Sequence, residues 1–221
     1  MTLSLTVLIS GAGSNLRAIL EAIDAGRCDA SVRAVISDRA SAAGLALATE
    51  RGVPTAVLKL SDFASRAAWD AELARTLQGY APDVVVLAGF MKIVGEHMLS
   101  AFDRRILNVH PSLLPAFPGT DAPAQAIAAG ARIAGCTVHV VDGGVDTGPI
   151  VAQAAVRIMP GDDADALHKR IQRAEHLLFP AVLHGLARGT IALPSKGSTR
   201  SGGEGPDDHA ILVSPQLDTV P

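Results

Sequence analysis

Leu3-Ser4-Leu5-Thr6-Val7-Leu8-Ile9-Ser10-Gly11-Ala12-Gly13-Ser14-Asn15-Leu16 is the stretch that decides the fold. Leu3 to Ile9 is apolar almost without interruption, two glycines punctuate it, and a helical pattern runs on from Asn15 to about Ala25. A strand solvated on one face alternates. One that is apolar throughout is covered on both faces, as in a parallel sheet layered with helices. The theme repeats along the chain. Val32 to Ile36 reads as a strand, Ala42 to about Arg51 as a helix and Thr55 to Leu58 as a short strand. Ser61 to Leu77 reads as a helix, with Trp69, Leu73 and Leu77 spaced four apart on one face. Asp83-Val84-Val85-Val86-Leu87 is again a strand without alternation, and Arg105-Ile106-Leu107 ends another. Farther on, Cys136 to Val141 and Ile150 to Val156 are expected to pair as a hairpin across a tight Gly-rich turn. Asp163 to about Leu186 reads as a long amphipathic helix with Leu167, Ile171, Leu178 and Val182 inward. The expected class is α/β: one Rossmann-like domain over residues 1–193, with a mostly parallel central sheet, helices on both faces and a late antiparallel hairpin.

Composition bounds the partners. With 221 residues the chain fits one large domain with a short appendage. A formal charge of −3 lacks the basic excess of a protein that coats nucleic acid. Cys28 and Cys136 are too few for a disulfide framework and have no metal-ligand spacing, which places the chain in a reducing cytoplasm. The first strand begins almost at Met1, leaving no room for a signal peptide, and no apolar run reaches the ~20 residues of a membrane span. From Pro194 to Pro221 the character changes: 12 of these 28 residues are Gly, Pro or Ser, so a mobile tail is expected. Its one apolar patch, Ala210-Ile211-Leu212-Val213, is a surface for docking on the domain or on a second copy, and a homodimer is the assembly to test.

The glycine turn after the first strand has the makings of an anion site, because a strand, a turn and a helix start direct backbone N–H groups and the helix dipole outward. A dinucleotide fingerprint would place a third glycine where Leu16 stands, although Asp38 near the end of the second strand could hold a ribose. No Gly-Lys-Ser/Thr follows, so this is not a Walker loop. Ser14 and Asn15 add side-chain donors suited to a single terminal phosphate. The plainer alternative is a structural helix start.

Asn108-Val109-His110-Pro111-Ser112-Leu113-Leu114-Pro115 carries the chemistry. Side chains alternate along a strand, so Asn108 and His110 point the same way where the strand ends. A carboxamide beside an imidazole can polarise a carbonyl oxygen while the imidazole moves a proton. Downstream, Asp142-Gly143-Gly144-Val145-Asp146-Thr147-Gly148-Pro149 offers a carboxylate on a glycine-rich turn, with Asp142 and Asp146 competing for that role. The set points to acyl or formyl transfer to an amine, without metal or covalent nucleophile. Gln172 and Glu175 lie on one edge of the last helix, and spacing alone makes them an ordinary solvated edge. His168, His176 and His184 are eight residues apart, roughly 12 Å along a helix, too far for a common metal.

These motifs, together with Ala81-Pro82-Asp83-Val84-Val85-Val86-Leu87-Ala88-Gly89-Phe90-Met91, Gly135-Cys136-Thr137-Val138-His139 and Val145-Asp146-Thr147-Gly148-Pro149-Ile150, resemble the phosphoribosylglycinamide formyltransferases, folate-dependent enzymes of purine biosynthesis. The resemblance runs from the first strand to about Leu193. It implies a formyltransferase domain with an N-terminal nucleotide-binding half and a C-terminal folate-binding half, using 10-formyltetrahydrofolate as co-substrate and no metal. It implies that Asn108, His110 and Asp146 are catalytic. Gly13, Ser14 and Asn15 would hold the ribonucleotide phosphate, and Gln172 and Glu175 the glycinamide end and ribose. Arg66, Met91, Lys92, Ile93, Val94 and Asn108 would meet the folate. Two departures stand out: Thr120-Asp121-Ala122-Pro123 replaces a histidine-containing segment near the ribonucleotide, and Gly143-Gly144 replaces a more acidic pair, which would loosen the folate loop.

Rival functions are few. A 10-formyltetrahydrofolate hydrolase shares the asparagine–histidine–aspartate core but normally carries an extra N-terminal domain. A formyltransferase for another amine, such as a sugar or methionyl transfer RNA, would need a C-terminal extension for its acceptor. A non-catalytic nucleotide-binding module would have no use for Asn108, His110 and Asp146 together.

Overall fold

A computed structural model of the chain describes residues 2–194. Seven strands form one sheet: β1 (Leu3–Ile9), β2 (Ala30–Ser37), β3 (Thr55–Val57), β4 (Val84–Leu87), β5 (Ile106–His110), β6 (Ile133–Val140) and β7 (Ile150–Arg157). Their spatial order is β3-β2-β1-β4-β5-β6-β7. From β3 to β5 all neighbours are parallel, and β5, β6 and β7 pair antiparallel. Six helices connect them: α1 (Ser14–Asp24), α2 (Gly44–Thr49), α3 (Arg66–Gly79), α4 (Glu96–Ala101), α5 (Ala122–Ala128) and α6 (Ala164–Arg188). The expected mixed sheet with helices on both faces and a late antiparallel hairpin is the observed one.

The two faces carry separate cores. Leu5, Val7 and Ile9 of β1 join Leu107 and Val109 of β5, Val138 and Val140 of β6, and the inward faces of α1 and α6 in one cluster. Leu8 turns the other way and joins Val85, Leu87 and Ile106 beneath Trp69, Leu73 and Leu77 of α3 and Met98 of α4. Both sides of β1 and β4 are therefore dry, which is why β4 reads as an unbroken apolar run and β1 as one interrupted only by Ser4 and Thr6, both buried. On the α3–α4 face the apolar cluster reaches β5 at Ile106 and takes no buried residue from β6 or β7. That end of the sheet face is left to polar residues.

The structure departs from the expected elements in three places. The helix expected from Ser61 begins only at Arg66, because Leu60–Asp62 forms a separate 3₁₀ turn and Ser65 caps α3 by accepting from the Ala68 N–H at 3.1 Å. The turn expected to be tight between β6 and β7 is a nine-residue loop, residues 141–149, since β6 ends at Val140 and β7 starts at Ile150. The short helices α4 and α5 have no counterpart among the expected elements. The tail expected from Pro194 onward lies outside the described residues except for Pro194 itself, whose carbonyl accepts from Arg104 Nη1 at 2.8 Å. No helix among the described residues is long and apolar enough to cross a membrane.

Gly135 of β6 marks a tight approach between the two strands of the hairpin. A Cβ there would stand 2.0 Å from the Ala154 carbonyl oxygen and 2.7 Å from Leu113 Cδ2. Gly135→Ala is expected to cost about 3 kcal/mol, as overpacking against backbone has little room to relax. Urea unfolding checks this, and a change below about 0.5 kcal/mol would mean the strands part easily here.

Candidate active site

The register of β5 against β6 assembles the polar end of the sheet. Asn108 lies opposite His139 and His110 opposite Thr137. Directly opposed residues of an antiparallel pair share a face, so all four side chains project from the face where the apolar cluster has ended. Asn108 Nδ2 is 3.2 Å from His139 Nε2. His110 and His139 are both buried, and Asn108 is half-buried.

Thr137 uses the same face to fix the following loop. Its hydroxyl donates to the Ser112 carbonyl at 2.7 Å and accepts from the Leu114 N–H at 3.0 Å. Gln153 on β7, opposite Thr137, donates to the Leu114 carbonyl at 2.8 Å. The Leu114–Pro115 peptide is cis, and Phe117 and Gly119 take left-handed backbone conformations. This path brings the Phe117 carbonyl 2.9 Å from His110 Nε2.

Asp146 closes the cluster. Its Oδ2 lies 3.3 Å from His110 Nδ1 and accepts from the Gly119 N–H at 2.8 Å, and its Oδ1 lies 3.5 Å from His139 Nε2. Burial pushes the Asp146 carboxyl up, but the His139 and Gly119 hydrogen bonds and the neighbouring imidazoles outweigh it and hold the group below the usual carboxylate range. It is an anion at neutral pH. Asp142 instead ties its own loop, since its Oδ1 accepts from the Gly144 N–H at 3.1 Å and the Thr147 hydroxyl at 2.6 Å. A Cβ on Gly144 would stand 2.0 Å from Thr147 Oγ1. Of the glycine pair expected to loosen this loop, Gly144 leaves the room in which Thr147 reaches Asp142, and Gly143 faces open space. His139 is absent from the sequence-derived site residues. Its signal is the pairing with Asn108, which a linear motif does not display.

The sequence-derived phosphate residues gather at the start of α1. Gly13 is its N-cap, in the left-handed conformation at φ 72°, and no side chain caps the helix. A Cβ on Gly13 would meet Gly44 Cα at 2.8 Å, so α2 is packed directly against this turn. Gln172 Nε2 donates to Ser14 Oγ at 3.0 Å, and Asn15 Nδ2 donates to Glu175 Oε2 at 2.8 Å. Gln172 and Glu175 are thus joined to the turn rather than lying on a free helix edge. Burial pushes the Glu175 carboxyl up, against the Asn15 hydrogen bond, and Asn15 Oδ1 is buried without a partner among the described residues. Asp121 is exposed in a left-handed conformation before α5, with no capping hydrogen bond from its side chain.

The expected folate residues are only partly alike. Met91 and Ile93 are 68% and 58% exposed, an unusual outlay of apolar surface on a loop. Lys92 Nζ lies 3.7 Å from Asp38 Oδ2, and the Arg66 guanidinium donates to the Ile93 carbonyl. Val94 differs from its neighbours: its side chain is buried in the α3–α4 core and anchors the loop from below. Among the described residues no group of His, Cys, Asp or Glu side chains is arranged to hold a metal ion.

An asparagine–histidine pair at the end of β5, faced by an aspartate from the β6–β7 loop, is a set of groups able to polarise a carbonyl oxygen and move a proton. The model of the formyl transferase family matches residues 3–183, and the chain belongs to that family. The phosphoribosylglycinamide formyltransferase of Mycobacterium tuberculosis is 45% identical over 195 residues, covering 88% of this chain and 90% of that protein. The trifunctional purine biosynthetic protein adenosine-3 of Drosophila melanogaster is 46% identical over 196 residues, covering 88% of this chain; the chain spans 14% of that protein's length. The crystal structure of glycinamide ribonucleotide transformylase 1 from Symbiobacterium toebii superposes with a TM-score of 0.83 at 49% identity, covering 85% of this chain and 89% of that one.

Glu175 gives a pH prediction. Its folded pKa is raised above the ordinary value of 4.5, so the neutral acid is the better-tolerated form. Its favourable contribution is complete below that ordinary value and is lost as pH rises through the folded pKa. Glu175→Gln, a permanent neutral acid in shape, is expected to be more stable than wild type at neutral pH, with the difference closing toward pH 4.5. Thermal unfolding across that range measures it. A less stable variant at neutral pH would contradict the burial argument.

Proposed function

We propose that this chain transfers the formyl group of 10-formyltetrahydrofolate to the free amine of 5-phosphoribosylglycinamide, giving formylglycinamide ribonucleotide and tetrahydrofolate in purine biosynthesis. The observation that carries the reading is the juxtaposition of Asn108, His110 and His139 on one sheet face, beyond the end of the α3–α4 core, with the Asp146 carboxylate set against both imidazoles. The uncapped start of α1, tied to Gln172 and Glu175, supports a phosphorylated acceptor held beside it. The nucleotide side therefore draws on both ends of the chain, and the division into two halves is spatial more than sequential. The exposed apolar loop at Met91 and Ile93 fits the flat ring system of a folate, and Arg66 and Lys92 fit its acidic end.

The folate supplies the formyl carbon; the protein's residues manage charge and protons around it. As the amine adds to that carbon, its oxygen becomes an oxyanion. Asn108 Nδ2 and a His110 N–H are the donors available to it. His110 faces acceptors at both ring nitrogens, the Phe117 carbonyl and Asp146, so its doubly protonated form satisfies both. The incoming oxygen takes over the donor that Phe117 holds in its absence. Asp146 stays ionised beside the imidazole, faces its Nδ1, and is the acceptor through which the amine's proton travels, by way of water, toward the folate nitrogen that leaves. His139 orients Asn108 and Asp146 from the neighbouring strand. The compartment this reading implies is the cytoplasm, in keeping with two cysteines that are both free and buried.

Release of tetrahydrofolate tests the assignment: it should require glycinamide ribonucleotide, whereas a hydrolase would proceed with water alone and a formyltransferase for another amine would ignore this acceptor. His110→Ala and Asp146→Ala should each lower kcat by about 100- to 1000-fold without loss of folded protein, the usual penalty for removing one oxyanion or proton-handling group. A folded His110→Ala enzyme within about threefold of wild type would remove His110 from the chemistry.

The phosphate assignment has its own test. Gly13→Val places a Cβ against Gly44 Cα and forces a branched residue into a left-handed turn. It should raise KM for glycinamide ribonucleotide strongly while leaving the folate KM nearly unchanged. The reverse result would mean that the two pockets are exchanged.

A further inference from the structure

The loop between β4 and α4 puts its apolar side chains into solvent, yet its backbone is fixed at both ends. The Met91 N–H donates to Ser10 Oγ at 2.8 Å, and the Arg66 guanidinium of α3 holds the Ile93 carbonyl. One turn along α3, Asp70 is only 2% exposed and accepts three backbone N–H groups: Gly95 at 2.6 Å, His97 at 2.9 Å and Met98 at 3.2 Å. Gly95 is the N-cap of α4 and has no side chain with which to cap it. The carboxylate of a different helix caps it instead.

The fit leaves no slack. A Cβ on Gly95 would stand 2.6 Å from both Cγ and Oδ2 of Asp70, so residue 95 is glycine because the carboxylate occupies the space. Between Arg66 and Asp70, Trp69 is fully buried, stacked on Phe90 at 6.3 Å with Arg66 6.0 Å above its ring. Residues 66, 69 and 70 of α3 thus grip residues 90 to 98 at successive points.

Resting on the reading of this loop as a folate wall, we infer that Asp70 is a positioning residue for the folate co-substrate. It touches no substrate. By holding Gly95 and the first turn of α4, it sets the height and direction at which Met91, Lys92 and Ile93 are presented. Exposed apolar side chains have little packing of their own to hold them, so the loop's shape is set by its backbone anchors.

Asp70→Asn is nearly isosteric, keeps one acceptor and replaces the other with an N–H₂ that faces donors. Gly95→Ala displaces the carboxylate without altering its charge. Both variants should raise KM for 10-formyltetrahydrofolate about tenfold, the scale of one lost charge-assisted hydrogen bond, while kcat and KM for glycinamide ribonucleotide stay within about twofold. Emission from Trp69, the chain's one tryptophan, should shift in both. A lowered melting temperature with an unchanged folate KM would make Asp70 a structural cap and nothing more, overturning the inference. So would an equal rise in both KM values. Ile93→Ser, on the loop itself, separates the two claims. If it raises the folate KM and Asp70→Asn does not, only the role of Asp70 falls; if neither raises it, the loop is not the folate wall and both fall.

Discussion

The register between β5 and β6 is the constraint on which the site depends. Asn108 stands opposite His139, and Leu107 opposite Val140. A slip of one residue would exchange the two faces of β6, driving His139 into the dry cluster beneath α6 and pushing Val138 or Val140 out beside Asn108. Burying an imidazole among Leu107, Val109 and Leu178 while exposing a valine costs both a desolvated polar group and lost apolar burial, so the core enforces the catalytic pairing. The site and the hydrophobic core are two faces of the same alternation.

Two carboxyls, Asp146 half-buried and Glu175 buried, are tuned in opposite directions by that framework. Asp146 receives a backbone N–H and lies between two imidazoles, which outweighs its burial and keeps it charged. Glu175 is more deeply buried, has one amide donor, and is pushed toward its neutral form. Divergent environments for two acids commonly separate two roles. A fixed anion suits the histidine pair, and an acid able to be neutral suits a polar substrate group beside an already negative phosphate.

Much of this was legible because both faces of the central strands are buried. Continuous apolar runs gave β1 and β4 directly, and alternation placed Asn108 and His110 together. The short helices α4 and α5 escaped, whereas α2, also six residues long, was legible from its Ala- and Leu-rich run. The choice between Asp142 and Asp146 was not in their spacing: both sit on the same glycine-rich loop, and the left-handed backbone at Asp146 aims it at His110. His139 depends on strand pairing across 31 residues, which no local pattern encodes. Gln172 and Glu175 read as a solvated edge because the partner that covers them lies about 160 residues earlier in the chain.

The placement of the two proposed substrate regions follows from one topological fact. From β1 the chain builds outward to β2 and β3 on one side, then crosses to β4 and continues through β5 on the other, so the strand order reverses between β1 and β4. Loops leaving the ends of two such strands diverge to opposite faces and open a crevice. Here the β1 loop becomes the glycine turn and the β4 loop the exposed apolar wall. They diverge from a common root: the Ser10 N–H donates to the Gly89 carbonyl at 3.1 Å, and the Ser10 hydroxyl accepts from Met91 at 2.8 Å. Ser10, the residue that follows β1, therefore fixes the start of the opposite wall and is itself buried. The formyl transfer proposed above, which has no covalent enzyme intermediate, needs its donor and acceptor regions held in place by the protein, and in this fold both loops spring from the switch point.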